Sequence, residues 1–222
     1  MKEKVVILGN GSMARVMYSY IKDKFNICGF CVDKKCITQP EIYHLPVVPF
    51  ELVEESFPPI KHKMINCIGY LDMNSIRKEK SEQARKKGYT LLSYIDSSVK
   101  IHKDVEIEDN CIILDFVSIH VNTKIKEGTF ISSNVNIGHD CIIDSYNWIN
   151  SGVSIAGFAN IGEFCFWGIN SSCANNINIG NFNYISANTL INKNTNDNEV
   201  YISEAGNKFQ LSSKNFLKFL GG

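Results

Sequence analysis

Residues 131–161 read ISSNVNIGHDCIIDSYNWINSGVSIAGFANI, with isoleucine at 131, 137, 143, 149, 155 and 161. Neither the 3.6-residue period of a helix nor the two-residue period of a strand returns an apolar side chain every sixth position. The register extends in both directions. Ile101, Ile107, Ile113, Ile119 and Ile125 precede it, and Trp167, Cys173, Ile179, Ile185 and Ile191 follow. A second row lies two residues earlier, through Val99, Val105, Cys111, Val117, Thr123, Thr129, Val135 and Cys141. It continues with more scatter through Val153, Ala159, Cys165, Ser171 and Ile177. One short strand and one turn per six residues is the pattern of a hexapeptide β-helix, and three hexads close a coil of about 18 residues. Stacked coils bury both rows as one core. Sixteen successive register positions leave little room for chance.

The remainder of the 222-residue chain must supply a second, smaller unit. Lys4–Leu8 is a short apolar run, Gly9-Asn10-Gly11 a turn, and the stretch from Ser12 to about Lys24 a helix with Val16, Met17, Tyr20 and Ile21 on one side. NICGFCVD, ending at Asp33, is a second strand. Strand, glycine turn, helix and strand begin a parallel Rossmann-like unit, in which backbone N–H groups at the helix start suit a phosphate and a carboxylate after the second strand suits a ribose or base. Gly9-x-Gly11-x-x-Ala14 is a partial dinucleotide fingerprint. A full dinucleotide domain does not fit in the space before the repeat, which disfavours NAD chemistry. The segment 34–60 holds all five prolines and reads as loop with short elements. KMINCIG, ending at Gly69, reads as a third strand, residues 74–88 as a polar helix stopped by Gly88, and TLLSYID as a fourth strand. The expected organisation is therefore a Rossmann-like α/β domain over 1–94 with four parallel strands and a β-helix over 95–200. A tail over 201–222 follows, with Phe216, Leu217 and Leu220 on one helical face, and would cap the last coil.

Composition narrows the function. Formal net charge is zero, which gives no electrostatic ground for nucleic acid or a membrane surface. No apolar run approaches the roughly 18 residues of a spanning helix, and the first ten residues lack the apolar core of a signal peptide. Cys111, Cys141, Cys165 and Cys173 occupy core registers, and Cys28 and Cys31 lie on opposite faces of a strand, against a zinc site. Eight cysteines used in this way suit a reducing cytoplasm.

Within the repeat, Ile137 and Cys141 are core, so Gly138, His139 and Asp140 fall on a turn. A surface imidazole can accept a proton from an amine or hydroxyl near neutral pH, and an adjacent carboxylate can orient it. The alternative is a surface Gly-His-Asp turn without a role. Gly157 and Asn175 follow His139 by one and two 18-residue coils, so they should stack above it at one corner. A glycine there leaves room and a free N–H for an elongated thioester ligand, or simply suits a coil corner.

The order of these features resembles the sugar acyltransferases of the sialic-acid O-acetyltransferase type, a group that includes bacterial nucleotide-sugar N-acetyltransferases of glycan and O-antigen biosynthesis. The resemblance is carried by ILGNGSMARV, GFCVD, CIGYLDMNSIR with Arg77, GHDCIID, NSGVSIAG and IGEFCFWGINSS–NINIGNFNYISAN, and covers about residues 3–200. It implies a left-handed parallel β-helix, a homotrimer, acetyl-CoA along the β-helix between subunits, and no metal. The second substrate would be a nucleotide-activated amino sugar held by the N-terminal domain. His139 matches the family's general base and Asp140 its acidic neighbour. Gly157 matches a glycine whose N–H meets the thioester oxygen, which makes Gly157, Asn175 and Trp148 the candidate acetyl-CoA contacts. Gly9, Gly11, Ser12, Asp33, Lys34 and Gly69 are the candidate contacts of the nucleotide sugar.

The chain departs from that family at three places. A second histidine, nine residues after the base, is here Trp148; the Gly-Gly-His opening is Gly11-Ser12-Met13; and Gly-Asn-Pro-Ala near the C-terminus is Ser203-Glu204-Ala205-Gly206. These replacements imply an altered acyl or acceptor preference. O-acetylation of a sugar such as sialic acid remains an alternative, as does a trimeric nucleotide-sugar-binding scaffold without turnover. A zinc carbonic anhydrase on this scaffold needs several converging histidines, and no histidine follows His139 in the repeat.

Overall fold

The computed structural model describes residues 2–219. The chain forms a small parallel α/β sheet followed by a left-handed parallel β-helix. In the sheet, β1 (Lys4–Leu8) lies between β2 (Asn26–Val32) and β5 (Lys63–Asn66), parallel to both. The helix α1 (Ser12–Ile21) buries Ala14, Met17 and Ile21, whereas Val16, expected on the same face, is 44 % exposed. A second correction concerns the fourth parallel strand. It is β4 (Leu45–Pro49), drawn from the proline-rich segment, paired with β2 and joined to the short antiparallel β3 (Glu41–Ile42). Pro46 and Pro49 are tolerated on this strand of the sheet's edge hairpin, where ladder donors can be spared. TLLSYID instead bridges β5 only at Met64–Leu91 and then starts the first coil at Tyr94–Ile95. Beyond α2 (Val53–Ser56) and β5, the helix α3 (Ser75–Lys86) ends at Gly88 with φ of +89°.

From Tyr94 on, two-residue strands repeat at six-residue intervals and stack into three parallel sheets. Face I holds Phe130–Ile131, Trp148–Ile149 and Phe166–Trp167, face II Asn136–Ile137 and Ser154–Ile155, and face III Ile142–Ile143 and Asn160–Ile161. In each strand the second residue points inward, so the row is buried from Ile113 to Ile191, with Trp167 and Cys173 in the same register, while at the open first coil Ile101 is exposed and Ile107 partly buried. Where the row two residues earlier is polar, the side chain closes the backbone of the turn. Thr123 Oγ1 donates to Gly138 O at 2.7 Å, and Asn147 Nδ2 donates to Asp144 O and Gly162 O at 2.7 and 2.9 Å.

Face I is covered by the α/β unit. Ile112, Phe130, Trp148 and Phe166 project outward from it into a common core with Ala14, Met17 and Ile21 of α1. A buried clamp completes the joint. Arg77 on α3 donates from Nε to Gly128 O at 3.0 Å and from Nη1 to Asn66 O and Ile68 O at 2.7 and 2.9 Å. At the other end of the stack, the polar segment after Ile191 closes the last coil, with Thr195 N, Asn194 Oδ1 and Asp197 Oδ1 bonded to backbone of residues 178–181. The terminal helix α4 (Ser213–Phe219) buries none of its side chains in this chain, so coil closure falls to residues 194–203, where Val200–Tyr201 pair with Tyr184–Ile185 and Ser203 bonds to Ser186 and Ala187; Leu220 lies outside the described residues.

Candidate active site

His139 and Asp140 occupy the turn between faces II and III. Asp140 takes left-handed backbone, φ 55°, a conformation that Asn and Asp adopt more readily than other non-glycine residues. The His139 Nδ1–H donates to Asp140 Oδ2 at 2.7 Å, and Asn122, one coil below, donates from Nδ2 to Asp140 Oδ1 at 3.0 Å. The His139 N–H and then the Asn122 amide hold the Asp140 carboxyl below the ordinary carboxylate range, so it is ionised whenever the imidazole is free to act as a base. With Nδ1 committed to Asp140, Nε2 carries the open lone pair.

Gly157 lies above the ring. A Cβ built on it would stand 2.7 Å from His139 Nε2 and 2.9 Å from Cε1, closer than real contacts allow. The glycine is needed here for space, since its φ is not in the left-handed region. Among the described residues no acceptor pairs with the Gly157 N–H. Asn175 stands exposed one coil further along. The arrangement is a half-exposed imidazole base oriented by a carboxylate, with an unclaimed backbone donor above it: the parts required to deprotonate a nucleophile and to receive a developing oxyanion.

A second candidate region lies at the C-terminal end of the parallel strands, where ligands of open α/β sheets bind. A cavity of about 580 Å³ is lined by Gly9, Asn10, Gly11, Ser12, Asp33, Lys35, Cys36, Gly69, Tyr70, Leu71 and Lys80, among others. Gly9, at φ +124°, is required by close approach, because a Cβ there would meet Cys67 O at 3.1 Å. Gly11 starts α1 without a capping side chain, which leaves the first-turn N–H groups for an anion. Of the residues expected here, Gly9, Gly11, Ser12, Asp33 and Gly69 line the cavity. Lys34 does not: its backbone N–H is bonded to the Glu51 carboxylate at 3.0 Å, and the next residue, Lys35, faces the space. Asp33 is paired with Lys80 of α3, a partner invisible in a sequence where the two are 47 positions apart.

Trp148 sits apart from His139. It is 6 % exposed, stacks on Phe130 at 4.0 Å and meets Tyr70 at 5.4 Å, and its indole N–H donates to Asn150 Oδ1 at 3.2 Å. It therefore belongs to the joint with the α/β unit on face I, across the coil from the edge that carries His139. Sequence reasoning missed Lys80, Tyr70 and Phe158. The last has its ring 4.9 Å from the His139 ring at 86°, and only its 18-residue offset from Asp140 could have flagged it. Among the described residues no group of three or more His, Cys, Asp or Glu is placed to hold a metal ion, and no helix is long and apolar enough to cross a membrane.

No protein-family model and no curated protein matches the sequence. Solved structures do match over nearly the whole chain. The acetyltransferase domain of PglB from Neisseria gonorrhoeae FA1090 is 19 % identical, with a TM-score of 0.79 over 89 % of this chain and 95 % of that one. PerB from Caulobacter crescentus, solved in complex with CoA and GDP-perosamine, is 20 % identical, with a TM-score of 0.80 over 89 % and 92 %. WeeI from Acinetobacter baumannii AYE is 18 % identical, with a TM-score of 0.70 over 89 % and 95 %. At these identities the likeness is one of fold: an α/β unit on a left-handed β-helix, as in these acetyltransferases.

Proposed function

We propose that the protein is an acetyl-CoA-dependent N-acetyltransferase acting on the amino group of a nucleotide-linked amino sugar, with His139 as general base. The observation that carries this reading is the His139–Asp140 pair, with Nε2 open beneath Gly157. His139 Nε2 takes a proton from the neutral acceptor amine as its nitrogen attacks the thioester carbonyl. The C–N bond forms, the C–S bond breaks, and the proton passes from the imidazolium to the departing thiolate, releasing CoA. Asp140 stabilises the imidazolium, and the Gly157 N–H receives the developing oxyanion. Attack is direct: burial pushes the Cys165 and Cys173 thiols up to about 12 and raises that of Cys141, so none is a ready nucleophile.

Two similar folds support the substrates: the PglB domain has been solved in complex with acetyl coenzyme A, and PerB with CoA and GDP-perosamine. The acceptor's nucleotide would occupy the cavity over Gly9, Gly11 and Asp33. Because the α/β unit covers face I while His139 lies on the opposite edge, a cavity and a histidine of one chain do not meet. An acceptor held by one chain reaches the His139 of a neighbour, so we infer a homotrimer, working in the cytoplasm on precursors of a surface glycan or O-antigen.

The test is a thiol-release screen of acetyl-CoA against UDP-, dTDP- and GDP-linked amino sugars, run beside the corresponding hydroxyl sugars. Turnover with an amino sugar, lost by about 10²–10⁴ in His139→Ala, is expected. Turnover confined to hydroxyl acceptors, or retained in His139→Ala, would overturn the reading.

A further inference from the structure

At the edge between faces II and III, five successive turns, one 18-residue coil apart, pass through left-handed backbone at Asp104, Asn122, Asp140, Phe158 and Asn176, with φ of 57, 58, 55, 59 and 57°. Asn and Asp suit this conformation because their short polar side chains bond locally, whereas a bulky residue is strained in it. Four of the five positions follow that preference. Phe158 breaks it in the coil directly above Asp140.

Aromatic residues at other left-handed turns have different surroundings. Tyr146, Phe164 and Phe182 stack in a column, with centroids 5.7 and 4.7 Å apart, and Lys78 of α3 lies over the first two. Phe116 is 66 % exposed at the edge between faces I and II, away from the histidine. Phe158 belongs to no ladder; its ring partner is the His139 imidazole, met edge-on. Backbone strain retained beside a reactive group points to a role for the residue that causes it.

That role follows from what the preferred residue would do. Two pairs of polar side chains one coil apart bond along the stack: Asn122 Nδ2 reaches Asp140 Oδ1 at 3.0 Å, and on face III Asn160 Nδ2 reaches Asn178 Oδ1 at 2.8 Å. An amide at position 158 would stand above Asp140 as Asp140 stands above Asn122. It would compete for Oδ2, the oxygen that receives the His139 Nδ1–H. We propose that Phe158 is a positioning residue: its apolar ring ends the amide–carboxylate ladder at Asp140, reserves Oδ2 for His139, and holds the imidazole with Nε2 under Gly157. The inference rests on His139 being the base.

The test is the Phe158→Asn variant of the full chain, with Phe158→Tyr as the conservative control. Asn is at home in left-handed backbone, so Phe158→Asn should melt no lower than the wild type. Histidine ¹⁵N spectra should show His139 protonated at Nδ1 in the wild type and in Phe158→Tyr, and a shift toward the Nε2-protonated tautomer in Phe158→Asn. With an acceptor from the thiol-release screen, kcat should fall about tenfold or more in Phe158→Asn, while both KM values stay within about twofold. An unchanged tautomer and kcat in Phe158→Asn, or an equal loss in Phe158→Tyr, overturns the proposal. Retained turnover in His139→Ala would remove the base reading separately, because the tautomer measurement does not depend on turnover.

Discussion

Gly157 shows how much one missing methyl group can decide. The methyl of Gly157→Ala would sit 2.7 Å from His139 Nε2, so the ring, as the movable end of the contact, must swing away. The backbone conformation suits alanine, so the fold should hold: the melting temperature should stay within about 2 °C while kcat drops by about tenfold or more. Steady-state kinetics beside a thermal melt checks both, and wild-type kcat would show that the space over Nε2 is not used. The cysteines offer a second probe. Burial pushes the Cys67 and Cys111 thiols up to about 12, whereas Cys36 is exposed and lines the cavity over Gly9 and Gly11. Iodoacetamide followed by peptide mass mapping should therefore label Cys36 ahead of the buried cysteines, and the correct nucleotide sugar should slow that labelling. Labelling unaffected by a turned-over acceptor would place the nucleotide elsewhere.

At the scale of the coil, the inner row is more than apolar filler. Asn147 interrupts the row that Cys141 and Val153 continue, yet it is buried and fully bonded. Its amide donates to Asp144 O and Gly162 O, and its oxygen accepts Cys165 N at 3.1 Å. Asn147→Ala would strand these groups away from water, at about 1–3 kcal/mol for a buried unpaired group. A melting point lowered by roughly 3–8 °C is expected, with kcat near wild type, because Asn147 lies away from His139. A variant that melts like the wild type would mean that the coil relaxes to let water in. Thr123, Ser171 and Asn183 perform the same closure elsewhere in the stack, which explains why this row looks scattered when only hydrophobicity is counted.

For the whole molecule, the decisive fact is that the α/β unit and His139 lie on opposite sides of the same coils. If the site is completed between chains, the mass in solution by light scattering should be three times the 25.0 kDa chain. Two inactive variants should then rescue each other. Gly11→Trp fills open space in the cavity wall, and His139→Ala removes the base. Mixed trimers of the two should recover up to about a quarter of the sites, since each site would draw its cavity and its histidine from different chains. No recovery in mixtures shown to exchange subunits would mean that each chain works alone. Arg77 bears on the same question: it is fully buried, meets no carboxylate among the described residues, and donates from Nε and Nη1 to Gly128, Asn66 and Ile68 while Nη2 has no partner there. It ties the segment after β5, which leads into the cavity wall at Gly69 and Tyr70, to the β-helix turn at Gly128 within each chain.

The six-residue register determined the β-helix by itself, because each coil is a local unit whose inward residue must be apolar whatever surrounds it. It also placed His139 and Asp140 on a turn and Gly157 above them, since an 18-residue offset in such a stack is a spatial neighbour. Gly9 marked the cavity wall for a similarly local reason, a left-handed turn against Cys67 O that a side chain would obstruct, whereas Gly11 faces open space at the start of α1. Tertiary structure alone decided the rest. The fourth strand came from a proline-rich segment because its outer side is paired only with the two-residue β3 among the described residues, so ladder donors can be spared. Trp148 went to the joint on face I because that outer face is covered by α1, and Asp33 found Lys80 across 47 residues. Which outward residues are buried, and which charges meet, depends on how two units dock, and no period in the sequence encodes that.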